Sequence, residues 1–127
     1  MLKFQSPNFS DFAIVDENEN IITGEEEGLL LFKGGTVCDD HFSYTSAHAI
    51  CREMGYHGAF SWRSGLVYDS LQNSKPITMD EVRCSSNVWS SCSSTRVSDC
   101  RHSEDVLISC ELRKNLIYFS VSNTLSG

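Results

Sequence analysis

Six cysteines in a chain of 127 residues constrain this sequence more than any other feature. The count is even and no two cysteines form a Cys-x-x-Cys pair, so they read as a disulfide framework rather than a metal cage or a redox centre. Cysteine number alone leaves the pairing open. Disulfides persist only under oxidising conditions, which points to a secreted or cell-surface setting. The length suits one domain with a modest core that covalent ties would reinforce.

Charge narrows the partners. The formal net charge is −7, and the ten Lys and Arg are scattered, with Arg113-Lys114 the only adjacent pair. Nucleic-acid binding needs a basic stripe, so it is excluded as an expected function. Acid gathers in the first third, at Asp16, Glu17, Glu19 and Glu25–Glu27, and reads as a solvated loop. No stretch is long enough to span a membrane, so membrane insertion by this chain is not expected. Met1 opens no signal-peptide pattern, and the chain reads as an excised or mature domain. Asn8-Phe9-Ser10 is a glycosylation sequon, which makes Asn8 a candidate glycan site.

The segment Gly34–Tyr56 carries the clearest local pattern. Thr36-Val37-Cys38 reads as a short strand that runs into paired carboxylates, Asp39 and Asp40. Hydroxyls at Ser43, Thr45 and Ser46 can start a helix over Thr45–Met54. Ala47, Ile50, Cys51 and Met54 then fall on one helical face, and Gly55 stops it. Upstream, Phe12–Val15 and Leu29–Phe32 read as strands, and Lys33-Gly34-Gly35 as the turn of a β-hairpin. Residues 58–75 lack periodicity and read as a long loop anchored by Phe60, Trp62 and Tyr68. Ile77–Cys84 reads as a strand entered through Pro76. Residues 84–110 read as serine-rich and loop-dominated, closing with a short strand at Val106–Ile108. Residues 1–11 read as a loose, flexible N-terminal segment. The tail 111–127 contains Leu116–Phe119, either an added strand or part of a linker.

The ordered blocks GTVCDD, AHAICREMGY, PITMDEVRC and CRHSEDVLISC resemble the scavenger receptor cysteine-rich domain over residues 12–110. Tyr56 stands where eight-cysteine members carry another cysteine, so the chain resembles the six-cysteine group A. The resemblance implies an α+β fold in which a curved antiparallel sheet cradles one α-helix between long loops. It implies the bridges Cys38–Cys100, Cys51–Cys110 and Cys84–Cys92. It also implies a cation held by Asp39, Asp40 and Glu104, and through it an anionic glycan, lipid or protein ligand. The chain departs from the family's common pattern at His41-Phe42, where Gly-Trp is usual, and at Val106-Leu107, where Ala-Gly is common.

Calcium suits the acidic set, because it takes six to eight oxygen ligands. The competing role for these acids is to favour the N-terminus of the following helix. Asp80 and Glu81 form a possible second metal pair, with a solvated strand edge as the alternative. Zinc is the weaker rival, since its soft ligands would be Cys38-x2-His41 and His48-x2-Cys51. His41, His48, His57 and His102 read as structural. Arg52 and Arg101 are candidates for recruiting anionic ligands, and Trp89, set among serines, for an exposed binding aromatic. Neither a Gly-x-Ser-x-Gly elbow nor a His-Glu-x-x-His motif occurs, so no catalytic site is expected. The alternative function is a cation-independent structural or protein-interaction module of a larger receptor or secreted protein.

Overall fold

A computed structural model describes residues 10–95 and 99–112. Asn8, the greater part of the N-terminal segment and the run Leu116–Phe119 lie outside the described residues. Seven strands, β1 (Phe12–Val15), β2 (Gly28–Phe32), β3 (Gly35–Val37), β4 (Gly58–Ser64), β5 (Ile77–Cys84), β6 (Cys92–Thr95) and β7 (Val106–Glu111), accompany two helices, α1 (Tyr44–Glu53) and α2 (Asp69–Asn73). The sheet order is β4-β7-β2-β3-β5-β6, with β1 added on β2.

Local chemistry accounts for the first half. β2 and β3 form a tight hairpin, Phe32 opposite Gly35. Its two loop residues, Lys33 (φ 51°) and Gly34 (φ 86°), both adopt the left-handed conformation that a two-residue turn of this twist requires. Ser43 caps α1, its Oγ accepting from the Ser46 N–H at 3.3 Å. Ala47, Ile50 and Cys51 on the helix's inner face are fully buried, and Met54 is partly so. At the other end Gly55 (φ 100°) closes the helix, while the Tyr56 and Gly55 N–H groups satisfy the Cys51 and Arg52 carbonyls. The core under this helix joins Ile14, Leu30, Val37, Met79, Val82 and Ile108.

The second half departs from the sequence-based expectation in four places. Residues 58–75 are not a long loop: they hold β4, which lies antiparallel along β7, and the short α2. A register shift between Ala59 and Ser61 breaks the alternation that would have marked β4, and it leaves Phe60 exposed rather than anchoring. Trp62 packs against Phe42 at 4.8 Å and Tyr68 against the buried Val15–Leu29–Leu31 cluster, as anchors should. Within 84–110, the serine-rich β6 pairs with β5. The sheet is also not wholly antiparallel, because β3 and β5 run parallel. That pairing brings Pro76 and Met79 carbonyls onto the Thr36 and Cys38 N–H groups, each at 2.8 Å.

Three disulfides tie these elements together, Cys38–Cys100, Cys51–Cys110 and Cys84–Cys92, and no described cysteine is free. Cys51–Cys110 links α1 to β7 across 59 residues of sequence, which in the chain-entropy model removes about 4 kcal/mol of unfolded-state freedom. The Cys51→Ala/Cys110→Ala double variant is therefore expected to lose about 2–5 kcal/mol of stability in urea denaturation. A midpoint equal to that of the parent would show that packing alone holds the helix on the sheet.

Candidate metal centre

Two chain segments meet at the Cys38–Cys100 bridge, each delivering acid. On the first, Cys38 follows β3 fully buried, and Asp39 and Asp40 come next in a turn closed by the Phe42 N–H on the Asp39 carbonyl at 2.9 Å. His41 takes the left-handed conformation in this turn (φ 62°), and the buried Phe42 ring pins its end against Trp62. On the second, Cys100 and Arg101 lead into a 3-10 turn, His102–Glu104. Glu104 Oε1 accepts from the Arg101 N–H at 3.0 Å, so one carboxylate oxygen braces its own turn. The Glu104 carbonyl receives the Asp39 N–H at 2.9 Å, and Cys38 bridges to Asp105 beside it.

The result is that carboxylate oxygens of Asp39, Asp40 and Glu104 lie within 4.8 Å of one another, all three groups half-buried. Asp80 stands behind them, fully buried, with an oxygen within 4.8 Å of Asp40's and of the bridge sulfurs. Partial desolvation, followed by the charges of Asp80, Glu104, Asp99 and Asp39, pushes the Asp40 carboxyl above its ordinary range. This is a set of hard oxygen donors with like charges close together, the chemistry that suits calcium or magnesium.

The second pair considered from the sequence, Asp80 and Glu81, lies on β5. Glu81 (φ 52°) occupies the bulge where β5 shifts register against β6, and its N–H binds Asp80 Oδ1 at 2.7 Å. Asp80 is thus buried rather than on a solvated edge, and it lies behind the first set. The zinc alternative loses its ligands: Cys38 and Cys51 are both in disulfides, and His48 Nδ1 accepts the Ala59 N–H at 2.9 Å.

Arg101 is exposed on the segment that enters the Glu104 turn. Arg52 lies at the far end of α1 from the acids, bonded through Nη1 to the His57 carbonyl at 3.2 Å, so the fold does not bring it to the site. Trp89 is corrected as well. It is half-buried, its ring edge-to-face with Phe12 at 5.0 Å, because the Cys84–Cys92 bridge turns its loop back onto the core.

Two buried polar groups went unread in the sequence. Asp105 is fully buried, its Oδ2 2.8 Å from His102 Nδ1 and 3.0 Å from Gln72 Nε2. Burial raises its carboxyl, with partial relief from Gln72, His102 and Thr36. Gln72, also fully buried, sits in a five-residue helix too short to show periodicity. Away from the acids, Phe12, Ile14, Ile21, Ile22, Met54 and Tyr56 contribute to the walls of a groove of about 570 Å³.

Comparison with known proteins agrees with this architecture. The family model of the scavenger receptor cysteine-rich domain matches residues 23–111. Lysyl oxidase homolog 2 of Xenopus laevis is 45% identical over 97 residues, covering 73% of this chain and 12% of that protein. Lysyl oxidase homolog 4 of Mus musculus is 37% identical over 133 residues, covering 95% of this chain and 16% of that protein. The chain thus spans a small part of these curated relatives. Among solved structures, the dimeric form of the SRCR domain of mouse MARCO superposes with a TM-score of 0.53 at 27% identity, covering 75% of this chain and 96% of that one. The third SRCR domain of murine neurotrypsin does so with a TM-score of 0.53 at 29% identity, covering 79% and 96%. With its three disulfides, its curled sheet and its helix, the chain belongs to the scavenger receptor cysteine-rich domain family, of the six-cysteine type.

Proposed function

We propose that this domain is a non-catalytic extracellular ligand-binding module of a larger chain, working through a calcium site at Asp39, Asp40 and Glu104. The observation that carries the reading is the convergence of those three carboxylates within 4.8 Å, with Asp40 held above its ordinary range by desolvation first and by its acidic neighbours second. A domain with a net charge of −7 repels anions. Calcium, when bound, would supply local positive charge and open coordination positions for carboxylate, sulfate or phosphate oxygens on a glycan, lipid surface or protein. Asp39, Asp40 and Glu104 would hold it, Asp80 would deepen the negative field behind it, and Arg101 would flank the approaching ligand. An oxidising extracellular setting follows from the three disulfides.

A second reading has its own observation. The apolar groove beside β1, with Ile21 76% exposed, suits a protein partner that needs no cation. In that case chelation leaves partner binding intact and Ile21→Asp abolishes it.

Calorimetric titration of oxidised, chelator-stripped protein with calcium is expected to give saturable heat, and the Asp39→Ala/Asp40→Ala variant none. Flat traces from both would remove the ion mechanism. The same crowding predicts an effect on stability. In chelator at neutral pH and low salt, Asp40→Asn is expected to melt above the parent, because it removes one charge from a repelling set. The advantage is expected to shrink as salt screens the repulsion. A variant melting below the parent at low salt would mean that Asp40 is already compensated within the fold.

A further inference from the structure

Of the three proposed ligands, Glu104 is the one whose placement depends on distant sequence. Asp39 and Asp40 follow directly from β3, whereas Glu104 belongs to a three-residue 3-10 turn. A buried amide helps to brace that turn from inside. Gln72 is fully buried, and its Nε2 donates to the Gly65 carbonyl at 2.9 Å and to Asp105 Oδ2 at 3.0 Å, with a longer 3.3 Å contact to the His102 carbonyl. Its Oε1 accepts the Val67 and Tyr68 N–H groups at 2.9 and 2.7 Å. Every polar capacity of the side chain is therefore engaged. Two of its partners, His102 and Asp105, enclose Glu104 in sequence. Asp105 in turn accepts the Gly65 N–H through its carbonyl at 3.0 Å and bridges to Cys38.

Asp105 Oδ1 is buried without a well-formed hydrogen bond and Thr36 Oγ1 relieves the carboxyl only in part, so loss of the Gln72 donor leaves His102 as the one full hydrogen-bond partner. A buried carboxylate short of donors is costly, and the structure would relax by moving the element that carries it. That element is the start of β7 and the Glu104 turn.

We infer that Gln72 is a positioning residue for the acidic site, joining the 65–73 segment to the turn that presents Glu104. The inference rests on the calcium reading of that site. Groups that orient metal ligands without touching the metal commonly change affinity by about 10–100-fold when removed. Linkage is reciprocal, so an ion that fixes the Glu104 turn must also tighten the segment held by Gln72.

The test is calcium calorimetry on the oxidised parent, Gln72→Leu and Ile14→Ala, with hydrogen exchange on the parent. Ile14→Ala is a core variant in β1 that lowers stability without touching the network. The expected result is calcium affinity at least about tenfold weaker in folded Gln72→Leu and unchanged in Ile14→Ala. In the parent, calcium is expected to slow exchange of the Val67 and Tyr68 amides, a readout that holds even where Gln72→Leu fails to fold. Equal affinity in parent and Gln72→Leu overturns the positioning role alone, as do Val67 and Tyr68 amides indifferent to calcium. A parent that takes up no calcium overturns the ion reading and this role with it.

Discussion

Cys38 is the point on which the rest of the molecule depends. It is fully buried, its N–H is bonded to the Met79 carbonyl, its backbone bridges to Asp105, and its sulfur is joined to Cys100. Those contacts tie the end of β3 to the middle of β5 and to the start of β7. They also force acids from separate segments into one place: Asp39 and Asp40 beyond Cys38, Asp80 from β5, Glu104 beyond Cys100. Like charges a few ångströms apart repel by about 1 kcal/mol in water and by several where solvent is partly excluded. Hydrogen bonds alone, each of modest net value, would be a poor restraint on such a set. The covalent bridge spans 62 residues and restrains the unfolded chain by about 4 kcal/mol in the entropic model, enough to keep the segments together.

The polar interior does the complementary work on the far side of the turn. Gln72 and Asp105 place amide and carboxylate groups where a core would ordinarily hold hydrocarbon. Such groups specify position more sharply than apolar packing, because a hydrogen bond fails with small displacements whereas a methyl contact does not. The cost is a network with little tolerance: Asp105 Oδ1 and Thr36 Oγ1 are already without full hydrogen bonds. A small domain accepts that cost where a surface loop must hold one conformation.

How much of this was legible depended on whether the pattern was local. The hairpin, α1 with its caps and the strands β1, β2 and β5 were readable because turn residues, periodicity and Gly55 act within a few positions. Asp39 and Asp40 were readable as a local pair of acids, whereas their meeting with Glu104 was readable only through the resemblance of whole blocks, since spacing cannot say which cysteine joins which. β4 was lost because its bulge puts Phe60 outward and because Ser61 faces Ser109, hydroxyl to hydroxyl at 2.9 Å, where an apolar pair would have signalled a strand. β6 was lost because an edge strand of half-cystine, serines and threonine carries no alternation. Trp89 was misread from its polar neighbours, although the eight-residue loop closed by Cys84–Cys92 brings it back to Phe12. Gln72 had no local signature at all; its partners lie up to 33 residues away.

The backbone around the acids has one further regularity. His41 (φ 62°) follows Asp40 and Glu81 (φ 52°) follows Asp80, both left-handed residues with side chains. Such conformations cost about 1–2 kcal/mol each relative to ordinary backbone. At His41 the family pattern commonly has glycine, which would remove that cost. Each left-handed residue turns the chain immediately after an aspartate, and the two aspartates so placed are among those whose oxygens approach within 4.8 Å. Without the reversal after Asp40, Phe42 could not close its 2.9 Å bond to Asp39, and the acids would run outward along an extended chain. Strain and charge repulsion therefore accumulate at the same place, and both oppose folding there. What opposes them is the bridge at Cys38 and the buried ring of Phe42 beside it, which is why the acidic turn stays where unconstrained electrostatics would open it.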